Sequence, residues 1–197
     1  AGTPLISDPG FRLLAAARDE GLPVSPIPGP SAMVAALSVA GLPTDRFCFE
    51  GFLPARSSAR RKRLLALADE PRTLVFYETG RRMADALEDC AELLGPDRPA
   101  TLCRELTKAY ESVYRDTLDG LLGTVNEDEQ ASRGESVLVV AGAPVTEGAV
   151  APSMEQALDL LLEVLPASAS ARTLARMYGV SRSEAYELAV SRSDRKR

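Results

Sequence analysis

Apolar residues recur at helical spacing over residues 11–18, from Phe11 through Leu14 to Ala17, and predict a helix. Asp8 is placed to cap it, Pro9 to occupy its first turn and Gly21 to end it. Residues 22–27 carry two prolines and predict a brief edge strand. Ser31 is placed to cap a second helix, residues 32–39, made of small side chains. Alternating or β-branched runs then predict strands over 46–50, 72–77, 100–103, 109–115 and 135–140. Between them lie helical patterns: a basic one running through Leu64, Leu65 and Leu67, then residues 83–94 and 118–125. Met83, Ala84, Leu87, Ala91 and Leu94 form the inner face of the second, and Asp116-Thr117 cap the third. Residues 78–82 are expected to be a turn and 126–133 a polar surface loop. Strands alternating with helices predict an α/β fold.

Periodicity lapses over residues 142–153, which predicts a linker and a domain boundary. Helical patterns return over 154–165, 168–178 and 182–190, with Gly179-Val180-Ser181 between the last two. That spacing resembles a helix-turn-helix. A compact three-helix appendage and a nucleic-acid-contacting module both fit it. Arg192, Arg195, Lys196 and Arg197 are expected to form a frayed basic tail. There is no internal repeat.

Composition narrows the chemistry. The 197 residues are long enough for one good-sized core, or a domain with a small appendage. A net charge of −5 argues mildly against a protein that coats nucleic acid, but leaves room for a local basic patch. Three cysteines without C-x-x-C spacing, and no histidine, argue against a zinc site and suit reduced thiols in the cytoplasm. The missing histidine also removes Ser-His-Asp and Cys-His arrangements, so carboxylates, Lys, Tyr or positioning must carry any chemistry. No apolar run approaches a membrane span, and the start lacks a basic segment followed by an apolar one.

Two Gly/Pro-dense loops, A-G-T-P-L-I-S-D-P-G at 1–10 and P-I-P-G-P-S at 26–31, flank the first helix. They serve either as tight connections or as loops that let main chain approach a ligand. Arg56, Arg60, Arg61, Lys62 and Arg63 put five cations in eight residues at the start of a helix, where the dipole disfavours them. A solvated basic face and a phosphate site both fit. Arg104-Glu105-Leu106-Thr107-Lys108 leaves a strand end with both signs of charge, which suits an internal ion pair or a phosphate or ribose hydroxyl.

Those two loops, with G-F-L-P-A-R at 51–56, F-Y-E-T-G-R-R at 76–82, R-E-L-T-K-A-Y-E at 104–111 and G-E-S-V-L-V-V-A-G at 134–142, stand in an order that resembles one family. It is the 16S ribosomal RNA (cytidine 2′-O) ribose methyltransferase I family, within the tetrapyrrole methylase superfamily. The resemblance implies an S-adenosylmethionine-dependent enzyme that methylates the 2′-hydroxyl of a cytidine in small-subunit ribosomal RNA, acting in the cytoplasm as a homodimer. It implies two α/β domains with the cofactor between them: residues 1–42 would end the first, 46–142 would form the second, and 151–197 would be the helical module. Relatives carry a further N-terminal portion that helps form the cofactor site, so the resemblance implies an incomplete first domain in this chain.

By the same resemblance, Gly2, Thr3, Pro4, Leu5, Ile6, Ser31 and Ala32 are expected to contact the cofactor. Glu78, Arg104, Glu105 and Lys108 are expected near the acceptor, and Arg56, Arg60, Arg61, Lys62 and Arg63 on RNA. No metal is expected. The family's Y-E-S-P-H-R appears here as Y-E-T-G-R-R, so Arg81 stands at the family's histidine and that histidine is not a universal base. A tetrapyrrole or other small-molecule methylase of the superfamily, and a non-enzymatic nucleic-acid binder, are the alternatives.

Overall fold

The computed structural model describes residues 2–144 and 152–195. The chain divides into two compact units, Ala1–Pro144 and Val145–Arg197. The division falls inside the linker expected at 142–153; residues 145–151 of that stretch lie outside the described residues.

The first unit is a five-stranded mixed sheet. Its strands are β1 (Phe47–Phe52), β2 (Thr73–Thr79), β3 (Pro99–Arg104), β4 (Ser112–Thr117) and β5 (Glu135–Val140), in the order β1-β2-β5-β3-β4. β1 and β2 are parallel; β5 is antiparallel to both β2 and β3, and β4 is antiparallel to β3. The period-two pattern of the strands sorts the core into two layers. Leu74 and Phe76 of β2, Leu102 of β3, and Leu138 and Val140 of β5 face one side. They meet α3 (Ser57–Leu65), α4 (Gly80–Leu94) and α5 (Leu118–Glu127) through Leu64, Met83, Leu87, Cys90, Leu118 and Leu121. Val75, Cys103, Val137 and Val139 face the other side and meet α2 (Ala32–Ala40) through Ala36, Leu37 and Ala40. Each large side chain so buried contributes about 1.5–3 kcal/mol. Polar atoms on the sheet seat the end of α2: Thr101 Oγ1 donates to the Ala40 carbonyl at 2.8 Å and Thr73 Oγ1 to that of Pro43 at 2.6 Å. Residues 32–40 thus pack on the sheet of 46–142.

Thr117 caps α5 as its sequence predicts, accepting the Gly120 N–H at 3.1 Å. Several boundaries depart from expectation. Residues 78–82 make no turn, because β2 runs through Thr79 and α4 begins at Gly80. There the Gly80 N–H donates to the Gly134 carbonyl at 2.8 Å, and a Cβ would lie 2.4 Å from the Ser132 carbonyl. Residues 22–27 form no regular element and pair with no strand among the described residues; prolines at 23 and 26 remove two of the donors pairing would need. α1 (Phe11–Asp19) has Gly10, not Asp8, at its N-cap, and Pro9 lies outside the helix. β4 starts at Ser112 rather than 109, because 105–111 are folded into a turn.

In the second unit, α6 (Met154–Val164) opens on a reciprocal cap between Ser153 and Gln156. α7 (Ala167–Tyr178) ends at Gly179, whose φ of 69° gives the left-handed stop that glycine allows. α8 (Arg182–Arg195) follows. Ala157, Leu158, Ala171, Leu174, Ala175, Ala185 and Ala189 form its core; small residues let the helices approach closely. Arg192 is not part of a frayed tail. It lies within α8, paired with Glu155 and Asp159 of α6. Lys196 and Arg197 lie outside the described residues. Among the described residues, no helix is long and apolar enough to cross a membrane, and no three His, Cys, Asp or Glu side chains cluster to hold a metal.

Candidate active site

β1, β2 and β3 run in one direction and β4 and β5 in the other, so one end of the sheet collects the C-termini of the first three and the N-termini of the last two. Outside the carboxyl ends of parallel strands is where α/β proteins place ligands. A cleft of about 340 Å³ opens there, lined by Tyr77, Glu78 and Thr79 of β2, Cys103 of β3, Ser136 of β5, and the 105–108 turn.

Glu105 is the centre of its polar wall. Its Oε1 accepts the Glu135 N–H at 2.8 Å and the Lys108 Nζ at 2.9 Å. Lys108 also reaches Glu135 Oε2 at 3.0 Å. The Glu135 N–H, then Lys108, hold the Glu105 carboxyl below the usual carboxylate range. Hydrogen bonds donated to the carboxylates of Glu105 and Glu135 raise the Lys108 ammonium above its usual range. Glu105 Oε2 has no hydrogen-bond partner among the described residues. The backbone reaches this geometry with Glu105 at φ 49° and Thr107 at φ 65°, the left-handed region that non-glycine residues rarely adopt.

Glu78 reaches the same end of the sheet differently. It shares the strand parity of Leu74 and Phe76, and its side chain is 1% exposed. Oε1 accepts the Thr79 N–H at 2.8 Å, and Oε2 lies 3.0 Å from Arg82 Nη2. Burial pushes its carboxyl above the usual range; the Thr79 N–H and the charges of Arg82 and Arg60 oppose the shift without cancelling it. Arg104 is spent elsewhere. Its guanidinium donates to the carbonyls of Arg133 at 2.9 Å and Tyr110 at 2.7 Å, which ties down the turn carrying Glu105 and Lys108.

A second cleft, about 680 Å³, adjoins the first. The two Gly/Pro loops that flank α1 in the sequence meet here: the Thr3 N–H donates to the Pro30 carbonyl at 2.8 Å and Thr3 Oγ1 to that of Gly29 at 2.9 Å. Gly2, at φ 110°, lies so close to the other loop that a Cβ would stand 3.0 Å from the Pro30 carbonyl. Gly2, Thr3, Ile6, Ser31 and Ala32 all line this cleft, whereas Pro4 and Leu5 do not. Ser31 Oγ is buried there without a partner among the described residues. Ile6, Ala32 and Leu106 line both clefts, so the two share a wall. Tyr77 sits at that junction, its hydroxyl accepting the Met33 N–H at 3.0 Å.

The basic helix α3 lies apart from both clefts. Arg60 is buried, its Nε 2.6 Å from Asp89 of α4. Arg61 meets Asp89 at 2.8 Å and Glu92 at 2.7 Å, and Arg63 meets Glu50 of β1 at 2.7 Å. Only Arg56 and Lys62 of the five cations are exposed without an ion pair among the described residues. Acidic partners from neighbouring elements thus answer the charge that the sequence leaves open. Lining residues not named as site residues from the sequence include Tyr77, Thr79, Cys103, Glu135 and Ser136. Alternation beside Glu78 was the available signal for Tyr77 and Thr79.

The sequence and the fold find counterparts among known proteins. Residues 1–122, more than half the chain, match the family model for Tetrapyrrole (Corrin/Porphyrin) Methylases. Ribosomal RNA small subunit methyltransferase I of Xylella fastidiosa (strain Temecula1) is 50% identical over 186 residues, which is 94% of this chain and 68% of that protein. Its counterpart in Escherichia coli O157:H7 is 46% identical over 190 residues, 96% of this chain and 66% of that protein. The chain therefore spans about two thirds of the length of these relatives. Among solved structures, the methyltransferase CobJ superposes with a TM-score of 0.52 at 22% identity, covering 72% of this chain and 62% of that one. A conserved hypothetical protein from Aeropyrum pernix K1 gives 0.50 at 19% identity, covering 100% of this chain and 68% of that one. Both show the fold alone. By the family match and by relatives near half identical along almost its whole length, the chain belongs to the tetrapyrrole methylases, and within them to the ribosomal RNA small subunit methyltransferase I family.

Proposed function

We propose that the chain transfers a methyl group from S-adenosylmethionine to the 2′-hydroxyl of a cytidine ribose in 16S ribosomal RNA. The observation that carries this is the pair of clefts sharing a wall of Ile6, Ala32 and Leu106: one is small-residue and loop-built, the other lined with charge. The residues fit the cofactor. Gly2 lets the two loops meet closely enough to form one cleft wall, and the Ser31 hydroxyl, unpartnered among the described residues at the N-terminus of α2, suits an anionic group such as a carboxylate. Bound there, S-adenosylmethionine supplies a methyl group already activated by a positive sulfur.

The chain's own residues then align and deprotonate the acceptor. Ala32 and Ile6 bring the two ligands together and exclude water from the shared wall. Glu105 Oε2 would accept the ribose hydroxyl proton of an acceptor held against the shared wall, its Oε1 being fixed by the Glu135 N–H and Lys108. Lys108, fixed by Glu105 and Glu135, steadies the oxygen or an adjacent phosphate. Arg104 and the buried Glu78 are positioning residues. The RNA substrate, rather than a tetrapyrrole, is supported by the names of the curated relatives. Action on the small ribosomal subunit, as a homodimer in the cytoplasm, belongs to the same reading.

Calorimetric titration of S-adenosylmethionine tests the cofactor half. The chain is expected to bind, and Ala32→Trp, which fills the shared wall, to bind at least about tenfold more weakly while keeping its circular dichroism. Equal binding by the folded variant would move the cofactor out of this cleft.

A further inference from the structure

The second unit divides its charge between its helices. α6 carries Glu155, Asp159 and Glu163 and no base, whereas α7 carries Arg172 and Arg176 and no acid. The acids of α6 are drawn on by Arg192, near the C-terminal end of α8. No carboxylate pairs with Arg172, Arg176 or Arg182 among the described residues. Arg172 and Arg182 instead line one concavity of about 380 Å³ with Ser168, Ser183 and Tyr186. Ser168 and Arg172 are one turn apart on α7, as are Arg182 and Tyr186 on α8, so each pair shares a helix face. The ring of Tyr186 is half exposed. The nearest acid in sequence, Glu184, is occupied at the cap of α8: its Oε2 accepts the Ser181 N–H at 3.1 Å, and Ser181 Oγ accepts the Glu184 N–H at 3.2 Å. That carboxylate already sits at the positive end of α8, so the free positive charge of the concavity comes from Arg172 and Arg182.

Two arginines without partners, two hydroxyls and an exposed aromatic face around one hollow match a nucleic-acid backbone with an unstacked base. Arginine forks meet phosphate oxygens, hydroxyls donate to phosphate or ribose, and the tyrosine ring stacks a base. We propose that this concavity between α7 and α8 is a second RNA-binding site, seating backbone phosphate on Arg172 and Arg182 and an adjacent base on Tyr186. It rests on the reading that the substrate is RNA. It adds a phosphate contact to any made by α3, three of whose cations are in ion pairs.

Fluorescence anisotropy with a labelled hairpin RNA carrying a single-stranded loop tests this on the full chain, without cofactor. Failure of methyl transfer and failure of this site are then read separately. Arg172→Ala/Arg182→Ala is expected to weaken binding roughly tenfold or more and to flatten the plot of log affinity against log salt by about 1.5, the share of two phosphate contacts. Tyr186→Phe should bind as the parent does, and Tyr186→Ala more weakly with an unchanged salt slope. Unchanged helical circular dichroism shows that each variant is folded, and Arg172→Lys/Arg182→Lys keeps the slope if folding needs the charges. An unaltered affinity and slope in the folded double alanine variant would overturn the proposal. So would tighter, sequence-selective binding of duplex DNA of the same sequence through these residues.

Discussion

Asp89 offers the sharpest stability test, because it is a single buried carboxylate serving two arginines of another helix. It is 5% exposed and accepts from Arg60 at 2.6 Å and from Arg61 at 2.8 Å. Burial alone would raise its carboxyl, yet the hydrogen bonds from Arg61 and Arg60 outweigh that and hold it below the usual range. Asp89→Ala leaves the two arginines in unequal positions. Arg61 is one-third exposed and keeps Glu92, so it loses little. Arg60 is 4% exposed and keeps no hydrogen-bonded carboxylate among the described residues, only the more distant charge of Glu78. Breaking a buried pair from one side costs about 3–5 kcal/mol, mostly the cost of the stranded charge. Urea unfolding, read by hydrogen exchange at α4 amides, should show a loss of that size in the first unit. Replacing both partners, as Arg60→Met/Asp89→Leu, should recover most of it, since a hydrophobic pair of similar volume avoids the desolvation cost. The sign with pH follows from the lowered carboxyl. The parent's extra stability is present above the ordinary carboxylate range and lost as pH falls through the folded value, and Asp89→Asn should lack that dependence. A loss under about 1 kcal/mol for Asp89→Ala would refute the reading of Arg60 as a buried ion partner.

Glu78 predicts the opposite sign. Its carboxyl is raised, so its contribution is fullest below the unfolded value near 4.3 and is lost as pH rises through the folded one. Glu78→Gln should therefore raise the melting temperature at pH 7 relative to the parent and change it little at pH 4. Gly80→Ala should destabilise the first unit by about 3 kcal/mol in urea unfolding, since its Cβ would meet Ser132 backbone at 2.4 Å and backbone gives way poorly.

The sequence was most legible where one period dominates. β5 lies where its apolar run predicts, with Val137 to Val140 alternating between two covered sheet faces, and α4 has its expected inner face because Met83, Leu87 and Leu94 share one helix stripe. The two Gly/Pro loops were legible as a pair, and Gly2, Thr3, Ile6, Ser31 and Ala32 do come to one cleft. Less legible were features set by long-range contacts. The strand-to-helix join at Gly80 depends on the 132–134 backbone, which no local pattern announces. Glu105 and Thr107 take left-handed geometry without a glycine to signal it, because Arg104 and the Glu105–Glu135 contact hold the turn from outside. The arginines of α3 read as a free basic face because their partners, Asp89, Glu92 and Glu50, stand on other elements.

The most direct measurement of the central claim is transfer of a tritiated methyl group from S-adenosylmethionine to 16S ribosomal RNA, followed by nucleoside digestion. The label should appear in 2′-O-methylcytidine, and Glu105→Gln should lower kcat about 10²–10⁴-fold with cofactor binding retained, as loss of a proton acceptor requires. Label on a nucleobase, label on a tetrapyrrole in preference to RNA, or an undiminished kcat in Glu105→Gln would contradict the account.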